Sequence, residues 1–259
     1  MGSLFVEEKC IGYYSSRDRI LLVGEGDFSF ALSLATAFGD ASNMVATSLD
    51  SEGMLEVKYM SSARANVALL KLKGCTILHE VDALTMSQHP NLRHRVFDRI
   101  AYNFPHAGFV GREDNSYQIS LHKEVVGGFL RNGRNMLTEK GEIHVTHKTE
   151  YPYSEWEIVK LGQDAGLKLT GIESFNVHAY PGYVNRRGAG NRSYETFRVG
   201  TSCTYKQWRS LKVLAGGAGI FLIKFGFYVR VKNTVRVESN NNNAKVSVRL
   251  IEKKTFFLK

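Results

Sequence analysis

Cysteine is scarce in this 259-residue chain, and Cys10, Cys75 and Cys203 are widely spaced along it. Their number is odd and none belongs to a C-x-x-C pair, so we expect neither a disulfide framework nor a structural zinc site. Free thiols of this kind fit a reducing compartment. The N-terminal residues also lack the basic and then apolar pattern of a signal peptide, and we therefore do not expect a secreted protein.

A long uninterrupted apolar run is missing as well. The most apolar stretch, residues 213–229, contains Lys224 and four glycines and is short for a transmembrane helix. No membrane partner is therefore expected. The eight histidines also lack a metal-binding pattern, because His144 and His147 lie three apart on a predicted strand and point to opposite faces. We accordingly expect no metal.

Acidic residues are rare only in the last part of the chain. Residues 201–259 carry 12 basic and two acidic side chains, whereas residues 1–200 are nearly neutral, so the basic excess behind the net charge of +9 belongs to the tail. Basic proteins commonly bind acidic partners such as nucleic acid. We expect a domain over residues 13–200 and a basic extension over residues 201–259. The extension is predicted to be a β-hairpin around Asn240–Asn243 or disordered, since apolar and polar residues alternate in 229–232, 235–237 and 246–250.

Short apolar runs alternate with helical patterns through the first 200 residues. The sequence predicts strands at 20–23, 44–49, 75–78, 97–103, 142–146, 167–175 and 194–199. Between them it predicts helices that include residues 30–35, 63–73, 117–131 and 155–165. This alternation predicts an α/β fold, with a mostly parallel sheet and helices on both faces.

A glycine-containing turn follows the first predicted strand. It has the sequence Gly24-Glu25-Gly26-Asp27-Phe28-Ser29, and its two glycines allow a sharp bend and a close approach to a ligand at the start of the next helix. The dinucleotide motif G-x-G-x-x-G would need a third glycine where Ser29 stands, which disfavours a nicotinamide cofactor. A tight turn without a ligand remains an alternative.

Acidic residues follow three successive predicted strands. Asp50 can accept hydrogen bonds from ribose hydroxyls, and Asp82 can accept one from an adenine amino group. Glu25 and Asp27 suit a ligand with an amino or sulfonium cation better than a pyrophosphate. Each carboxylate alone could be a solvated loop residue, but their shared position at strand ends favours a binding role.

The fourth strand leads into Asn103-Phe104-Pro105-His106. An asparagine amide can recognise the edge of a base, a phenylalanine can stack on it, and a histidine can transfer a proton near neutral pH. Proline makes such a loop rigid. Further along, Arg186, Arg187 and Arg192 are candidate phosphate contacts, although a solvated loop explains them equally well.

Several of these motifs together resemble the eukaryotic uridine-N3 methyltransferase family of large-subunit ribosomal RNA. The resemblance covers roughly residues 13–200 and rests on Tyr14-Ser15-Ser16, ILLVGEGDFSF (20–30), FDRIAYNFPHAG (97–108), GEIHVTHKT (141–149), Pro181-Gly182-Tyr183 and Arg186-Arg187-Gly188. It implies a Rossmann-like class I methyltransferase fold with S-adenosylmethionine as the methyl donor. On this pattern Gly24, Gly26 and Asp27 bind the methionine part of the cofactor, Asp50 its ribose and Asp82 its adenine, and residues 103–106 occupy the catalytic position. We expect Glu25, Phe28 and Ser29 to complete the cofactor turn and Asn103, Pro105 and His106 to be catalytic. The expected substrate contacts are Phe104, Arg186, Arg187 and Arg192.

The motif at the fourth strand also bears on the mechanism. Methylation of a pyrimidine at carbon 5 usually needs a cysteine nucleophile beside the proline, but His106 follows Pro105 here, and direct transfer to a nitrogen fits better. We predict that His106 takes the N3 proton while Asn103 orients the base.

The resemblance implies ribosomal RNA in a pre-ribosomal particle as partner and a nucleolar or nuclear location, with the cytoplasm as an alternative.

Two other functions fit the same residues. One is a non-catalytic RNA-binding or assembly protein that keeps the fold, and the other is a different adenosyl-cofactor enzyme such as an aminopropyltransferase. Methyl transfer from labelled cofactor to ribosomal RNA would distinguish them. The target nucleotide and the oligomeric state do not follow from the sequence.

Overall fold

The computed structural model describes residues 7–209 and, beyond them, residues 213–216, 219–224, 227–231, 237–240 and 243–246. The chain divides into two compact units after Arg209. The first unit contains the main sheet and its helices, and it carries every residue that we expected at a functional site.

The first unit is built on a seven-stranded sheet and has a separate pair of short strands. The described strands of this unit are β1 (Cys10–Ile11), β2 (Tyr14–Ser15), β3 (Ile20–Leu22), β4 (Met44–Thr47), β5 (Thr76–Leu78), β6 (Phe97–Asn103), β7 (Leu137–Lys148), β8 (Leu167–Ser174) and β9 (Ser202–Arg209). β1 and β2 pair with each other, and the other seven follow the order β5-β4-β3-β6-β7-β9-β8. The pairs from β5 to β7 are parallel, and β9 is antiparallel to both of its neighbours. The predicted mostly parallel, Rossmann-like sheet is confirmed.

Helices cover both faces of this sheet. They are α1 (Ser29–Phe38), α2 (Glu52–Leu72), α3 (Ser116–Asn135) and α4 (Ile158–Asp164). Alternate residues of β3 enter two separate apolar clusters, with Ile20 and Leu22 on the side of α1 and α2 and Leu21 on the side of α3 and α4. Burial on both faces explains why the sequence of this strand is continuously apolar.

Helix ends follow the capping chemistry of the sequence. α1 ends at Gly39, whose φ of +85° is a left-handed conformation that glycine adopts easily and whose N–H bonds to the Ala35 carbonyl. α2 begins after Ser51 and α3 after Asn115, and both side chains accept a hydrogen bond from a backbone N–H of the first turn. α1 starts directly at the glycine turn, where the N–H groups of Ser29 and Ala31 donate to the carboxylates of Asp27 and Glu25.

Two predicted elements were wrong. No strand forms at 194–199, and the last strand of the sheet is instead β9, at Ser202–Arg209. Its inward residues include the polar Ser202, Thr204 and Gln207, so the expected apolar alternation is absent from its sequence. The sheet therefore continues past residue 200, where we expected the extension to begin, and the compact unit ends at Arg209.

The helix predicted at 155–165 is divided at Glu157, which has a φ of +52°.

The second unit is described only by strands. β10 (Val213–Gly216), β11 (Gly219–Lys224) and β12 (Phe227–Val231) form an antiparallel sheet, and β13 (Val237–Asn240) pairs with β14 (Asn243–Val246). The predicted hairpin around the asparagines is thus present as β13 and β14. Lys232 and residues 235–236 and 247–250, which we also assigned to strands, lie outside the described residues. In the described part of the chain no helix has the length and apolar character needed to cross a membrane.

Candidate functional site

A cavity of about 540 Å³ opens at the carboxyl ends of β3, β4 and β6. This is the edge where ligands bind in doubly wound sheets, and the volume suits a nucleoside-sized ligand. Twelve of the expected site residues line it: Gly24, Glu25, Gly26, Asp27, Ser29, Asp50, Asp82, Asn103, Phe104, His106, Arg186 and Arg187. Phe28, Pro105 and Arg192 do not.

The glycine turn forms the floor of the cavity. Gly24 has a φ of +65°, and a Cβ atom there would lie 2.3 Å from the ring of Tyr102, so both backbone conformation and space require glycine. Phe28 also has a positive φ, of +60°, but its ring is fully buried in the core beside His79. Phe28 therefore shapes the turn from behind and does not reach a ligand in the cavity.

Two carboxylates of the turn have different environments. Burial raises the pKa of Glu25 to about 8, with a further contribution from the charge of Asp27, while the Ala31 N–H donates to its Oε2 over 3.1 Å. Asp27 is 3% exposed and accepts a hydrogen bond from Nε of Arg186 over 2.7 Å. The turn thus holds one carboxylate paired with arginine and one that burial keeps protonated near neutral pH.

The two acidic residues at the later strand ends are also held in place. Both carboxylate oxygens of Asp50 accept from Nζ of Lys58, over 2.6 and 2.8 Å. Asp82 accepts from the Leu84 N–H over 2.8 Å. Sequence reasoning missed Lys58, because only the packing of α2 against this edge shows that the lysine reaches Asp50.

The loop after β6 turns sharply over the cavity. Phe104 has a φ of +49°, which is unusual for a bulky residue, and its N–H bonds to the Thr146 carbonyl over 2.8 Å. Its ring meets the rings of Phe175 and Phe197 edge to face, with centroids 5.6 and 5.1 Å away. Nδ2 of Asn103 is buried and has no hydrogen-bond partner among the described residues. This amide donor is therefore uncommitted beside the cavity.

His106 forms a polar triad with Glu113 and His122. Its Nε2 lies 2.9 Å from Glu113 Oε1, and the Gly108 N–H donates to its Nδ1 over 3.0 Å. His122 Nδ1 accepts from the Ala107 N–H, and its Nε2 lies 3.0 Å from Gln118 Nε2 and 3.2 Å from Glu113 Oε2, the latter without a hydrogen bond. Although burial acts in the opposite direction, the two histidines hold the pKa of Glu113 well below its usual value.

The same three residues bring their ligand atoms within 4.8 Å of one another, a spacing that could hold a metal ion. Their hydrogen bonds favour a different arrangement. Since Nδ1 of His106 accepts the Gly108 N–H, a neutral His106 ring carries its proton on Nε2, which faces Glu113. A metal ligand needs an unprotonated nitrogen at that position. Glu113 therefore accepts from His106, and His122 lies beside this pair.

The loop around residues 180–195 closes one side of the cavity. Ser29 Oγ accepts from the Val184 N–H and donates to the Val184 carbonyl, and Arg186 pairs with Asp27. Arg187 lies over the ring of Phe109, 5.7 Å from its centroid. Arg192 instead faces solvent and pairs with Glu195, so the structure does not bring it to the cavity.

Residues 21–187 match the family model described as rRNA (uridine-N3-)-methyltransferase BTM5-like. The chain belongs to this BMT5-like family. Membership confirms the resemblance derived from the turn and the Asn103–His106 loop. The BMT5-like match includes every expected site residue except Arg192.

Individual relatives extend this comparison. The BMT5-like chain is 54% identical over 203 residues to the Arabidopsis thaliana protein named Uncharacterized protein At4g26485, covering 77% of this chain and 97% of that one. It is 24% identical over 226 residues to the 25S rRNA (uridine(2634)-N(3))-methyltransferase of Saccharomyces cerevisiae, covering 67% of each. Three further curated relatives are longer, and the matches span 31 to 39% of their lengths. Among solved structures, TrmN from Thermus thermophilus aligns with a TM-score of 0.46 at 17% identity, covering 74% of this chain and 44% of that one.

Proposed function

We propose that this BMT5-like protein is an S-adenosylmethionine-dependent methyltransferase that methylates N3 of a uridine in large-subunit ribosomal RNA. One juxtaposition carries the proposal: the acidic glycine turn and the uncommitted amide of Asn103 line the same cavity. The turn offers a close backbone approach and the Asp27 carboxylate, shared with Arg186, to an adenosyl cofactor, and the amide suits the edge of a base. The names of the family and of the yeast relative support the choice of substrate.

The residues present fit the cofactor in three places. Gly24, Gly26 and Asp27 would hold its methionine part, Asp50 its ribose and Asp82 its adenine, since carboxylates pair with ammonium groups and accept from hydroxyl and amino groups. Glu25 and Ser29 complete the turn. When bound, the cofactor supplies an electrophilic methyl group on a sulfonium. The chain contributes mainly by positioning the acceptor nitrogen against that group.

The loop after β6 would hold the base. Phe104 offers a ring for stacking, Pro105 is buried and keeps the loop rigid, and Asn103 offers a donor to a uracil carbonyl. For His106 we propose a positioning role in place of the predicted role as proton acceptor, because both ring nitrogens are hydrogen-bonded in this structure. We infer that His106 positions the loop, since a proton acceptor would need a free lone pair.

Nucleoside analysis tests this function directly. Incubation of the protein with large-subunit rRNA and methyl-labelled S-adenosylmethionine, followed by digestion and mass spectrometry, should yield labelled 3-methyluridine. Asn103→Ala should abolish the label, while Asn91→Ala, at an exposed site away from the cavity, should not. Labelled 5-methyluridine, or an unlabelled RNA, would refute the proposal. A ribosomal substrate also leads us to propose a nucleolar or nuclear location, which imaging of the tagged protein would check.

A further inference from the structure

Lys148 is a cation at the end of the strand beside the Asn103–His106 loop. Asn103 pairs with Thr146 across β6 and β7, and Phe104 bonds to the Thr146 carbonyl. Lys148 follows Thr146 by two residues and ends β7. Its position therefore brings a lysine of the GEIHVTHKT motif to the same edge of the sheet as the cavity, although Lys148 is not itself a lining residue.

The ammonium group of Lys148 has no carboxylate within ion-pair distance in the described part of the chain. Four other lysines do have one, namely Lys58, Lys123, Lys160 and Lys206. Nζ of Lys148 instead lies 4.6 Å from the ring centroid of Tyr153 and 5.1 Å from that of Phe197, and 3.5 Å from the Tyr153 hydroxyl. Aromatic faces stabilise a cation without neutralising it. This lysine is thus available to a ligand that carries negative charge or a carbonyl oxygen.

The ring of Phe197 connects this lysine to the cavity. Phe197 lines the cavity and contacts Phe104 edge to face on one side, while Lys148 lies over its ring. Burial lowers the pKa of Lys148, as expected for a half-buried amine. Arg187 acts in the same direction, whereas Glu113 and Glu150 favour the charged form. Tyr153 and the neutral, buried His147 complete its surroundings.

Uracil has the chemistry that such a cation would recognise. Its N3–H lies between two carbonyl oxygens, and loss of the N3 proton spreads negative charge over N3 and both oxygens. We propose that Lys148 donates a hydrogen bond to a carbonyl oxygen of the target uracil and stabilises the anion from which methyl transfer occurs. This inference rests on the proposed function and names the residue that makes the site select uridine.

The reaction balances with this role. The N3–H bond breaks, its proton passes to water, and the electron pair stays on N3. That pair forms the bond to the methyl carbon while the carbon–sulfur bond breaks, and its electrons return to sulfur to give a neutral thioether. Lys148 keeps its proton throughout. A fixed positive charge beside a developing negative one lowers the barrier because it needs no reorganisation during the reaction.

The same arrangement distinguishes the bases. Cytosine has no N3 proton and carries an amino donor in place of one uracil carbonyl, so either the lysine or the Asn103 amide would face a donor. Adenine likewise presents an amino group beside its ring nitrogen. Two donors therefore match only a base edge with two carbonyl acceptors.

Methyl transfer by three full-length variants tests the catalytic part. Lys148→Met should lower kcat by about 100-fold, with affinity for S-adenosylhomocysteine within about two-fold of wild type. Its kcat should also rise further with pH than that of wild type, since the uncatalysed loss of the N3 proton then limits the rate. Lys148→Arg keeps the charge and should recover most of the rate. Lys160→Met, on an exposed helix, is the matched control.

Binding of pentanucleotides of uridine or cytidine, measured by titration with S-adenosylhomocysteine present, separates this inference from the proposed function. Wild type should prefer the uridine pentamer, and Lys148→Met should lose that preference. If the preference depends on Lys148 although wild type transfers no methyl group to rRNA, the proposed function fails and the recognition role stands. Equal binding of the two pentamers by wild type, or an unchanged preference or rate in Lys148→Met, would overturn the inference.

Discussion

Arg186 donates from Nε to Oδ2 of Asp27 over 2.7 Å and so joins two parts of the chain that are 159 residues apart. Asp27 belongs to the glycine turn after β3, and Arg186 belongs to the loop that follows β8. A second link, between Ser29 and the backbone of Val184, lies beside it. The proposed cofactor turn and the proposed substrate loop are therefore one connected structure.

Removal of this ion pair should affect both stability and cofactor affinity. Arg186→Met leaves the carboxylate of Asp27 buried without its cation, and we expect a loss of about 2 kcal/mol in the free energy of unfolding. Affinity for S-adenosylhomocysteine should fall as well, because the turn and the loop lose their connection. Arg192→Met removes an exposed pair and should change the free energy by no more than about 0.5 kcal/mol. Chemical denaturation and calorimetric titration measure both quantities; equal effects of the two variants would argue against the link.

The raised pKa of Glu25 predicts a pH-dependent stability. The folded protein keeps the Glu25 proton up to about pH 8, whereas the unfolded chain releases it near the ordinary value of 4.5. The folded state therefore binds the extra proton between these two values, and the contribution of Glu25 to the free energy of unfolding should fall by about 1.4 kcal/mol per pH unit as the pH rises. Above about pH 8 this contribution of Glu25 no longer changes with pH.

Glu25→Gln removes this titration and keeps the shape of the side chain. The variant should gain stability relative to wild type as the pH rises from 5 to 8, and the difference should stop growing at higher pH. Urea denaturation across this range measures it. A constant difference between the two proteins would mean that Glu25 does not retain its proton in the fold.

The His106–Glu113–His122 triad predicts that its members act as a unit. His106→Ala should lower kcat by at least about 10-fold and leave affinity for S-adenosylhomocysteine nearly unchanged, because the triad holds the loop and does not line the cofactor turn. Glu113→Gln should have a similar effect. The double variant should be no slower than the slower single variant. If the kcat reductions of the two single variants multiplied in the double variant, His106 would instead have a separate role in the reaction.

The position of β9 predicts where the chain can be shortened. A protein ending after Arg209 keeps the complete seven-stranded sheet and should fold and bind S-adenosylhomocysteine like the full chain. A protein ending at residue 200 loses β9, which lies between β7 and β8, and should fail to fold, because both neighbouring strands lose their partner. Circular dichroism and thermal denaturation distinguish them. A reduced affinity of the longer fragment for rRNA would assign an RNA contact to the basic extension.

Local pattern was enough to predict most of the first unit. β6 has the bounds that its apolar sequence indicates, and α1 ends at the glycine that was expected to stop it. The turn after β3 and the loop after β6 were placed at one edge, because parallel strands end together there. β9 could not be predicted in the same way, since polar residues fill its inward positions and the more regular alternation at 194–199 belongs to a loop.

The sequence by itself therefore determined the order of the elements, the sheet type and most of the predicted site residues that line the cavity, because these depend on residue spacing and on which strand ends meet. Only the tertiary structure decided the hydrogen-bond partners of these side chains. Three contacts at one edge of the sheet pair Lys58 with Asp50, Arg186 with Asp27, and Glu113 with His106. Such contacts depend on how helices and loops pack around that edge, and they decide which carboxylates stay charged and which donors remain free for a ligand.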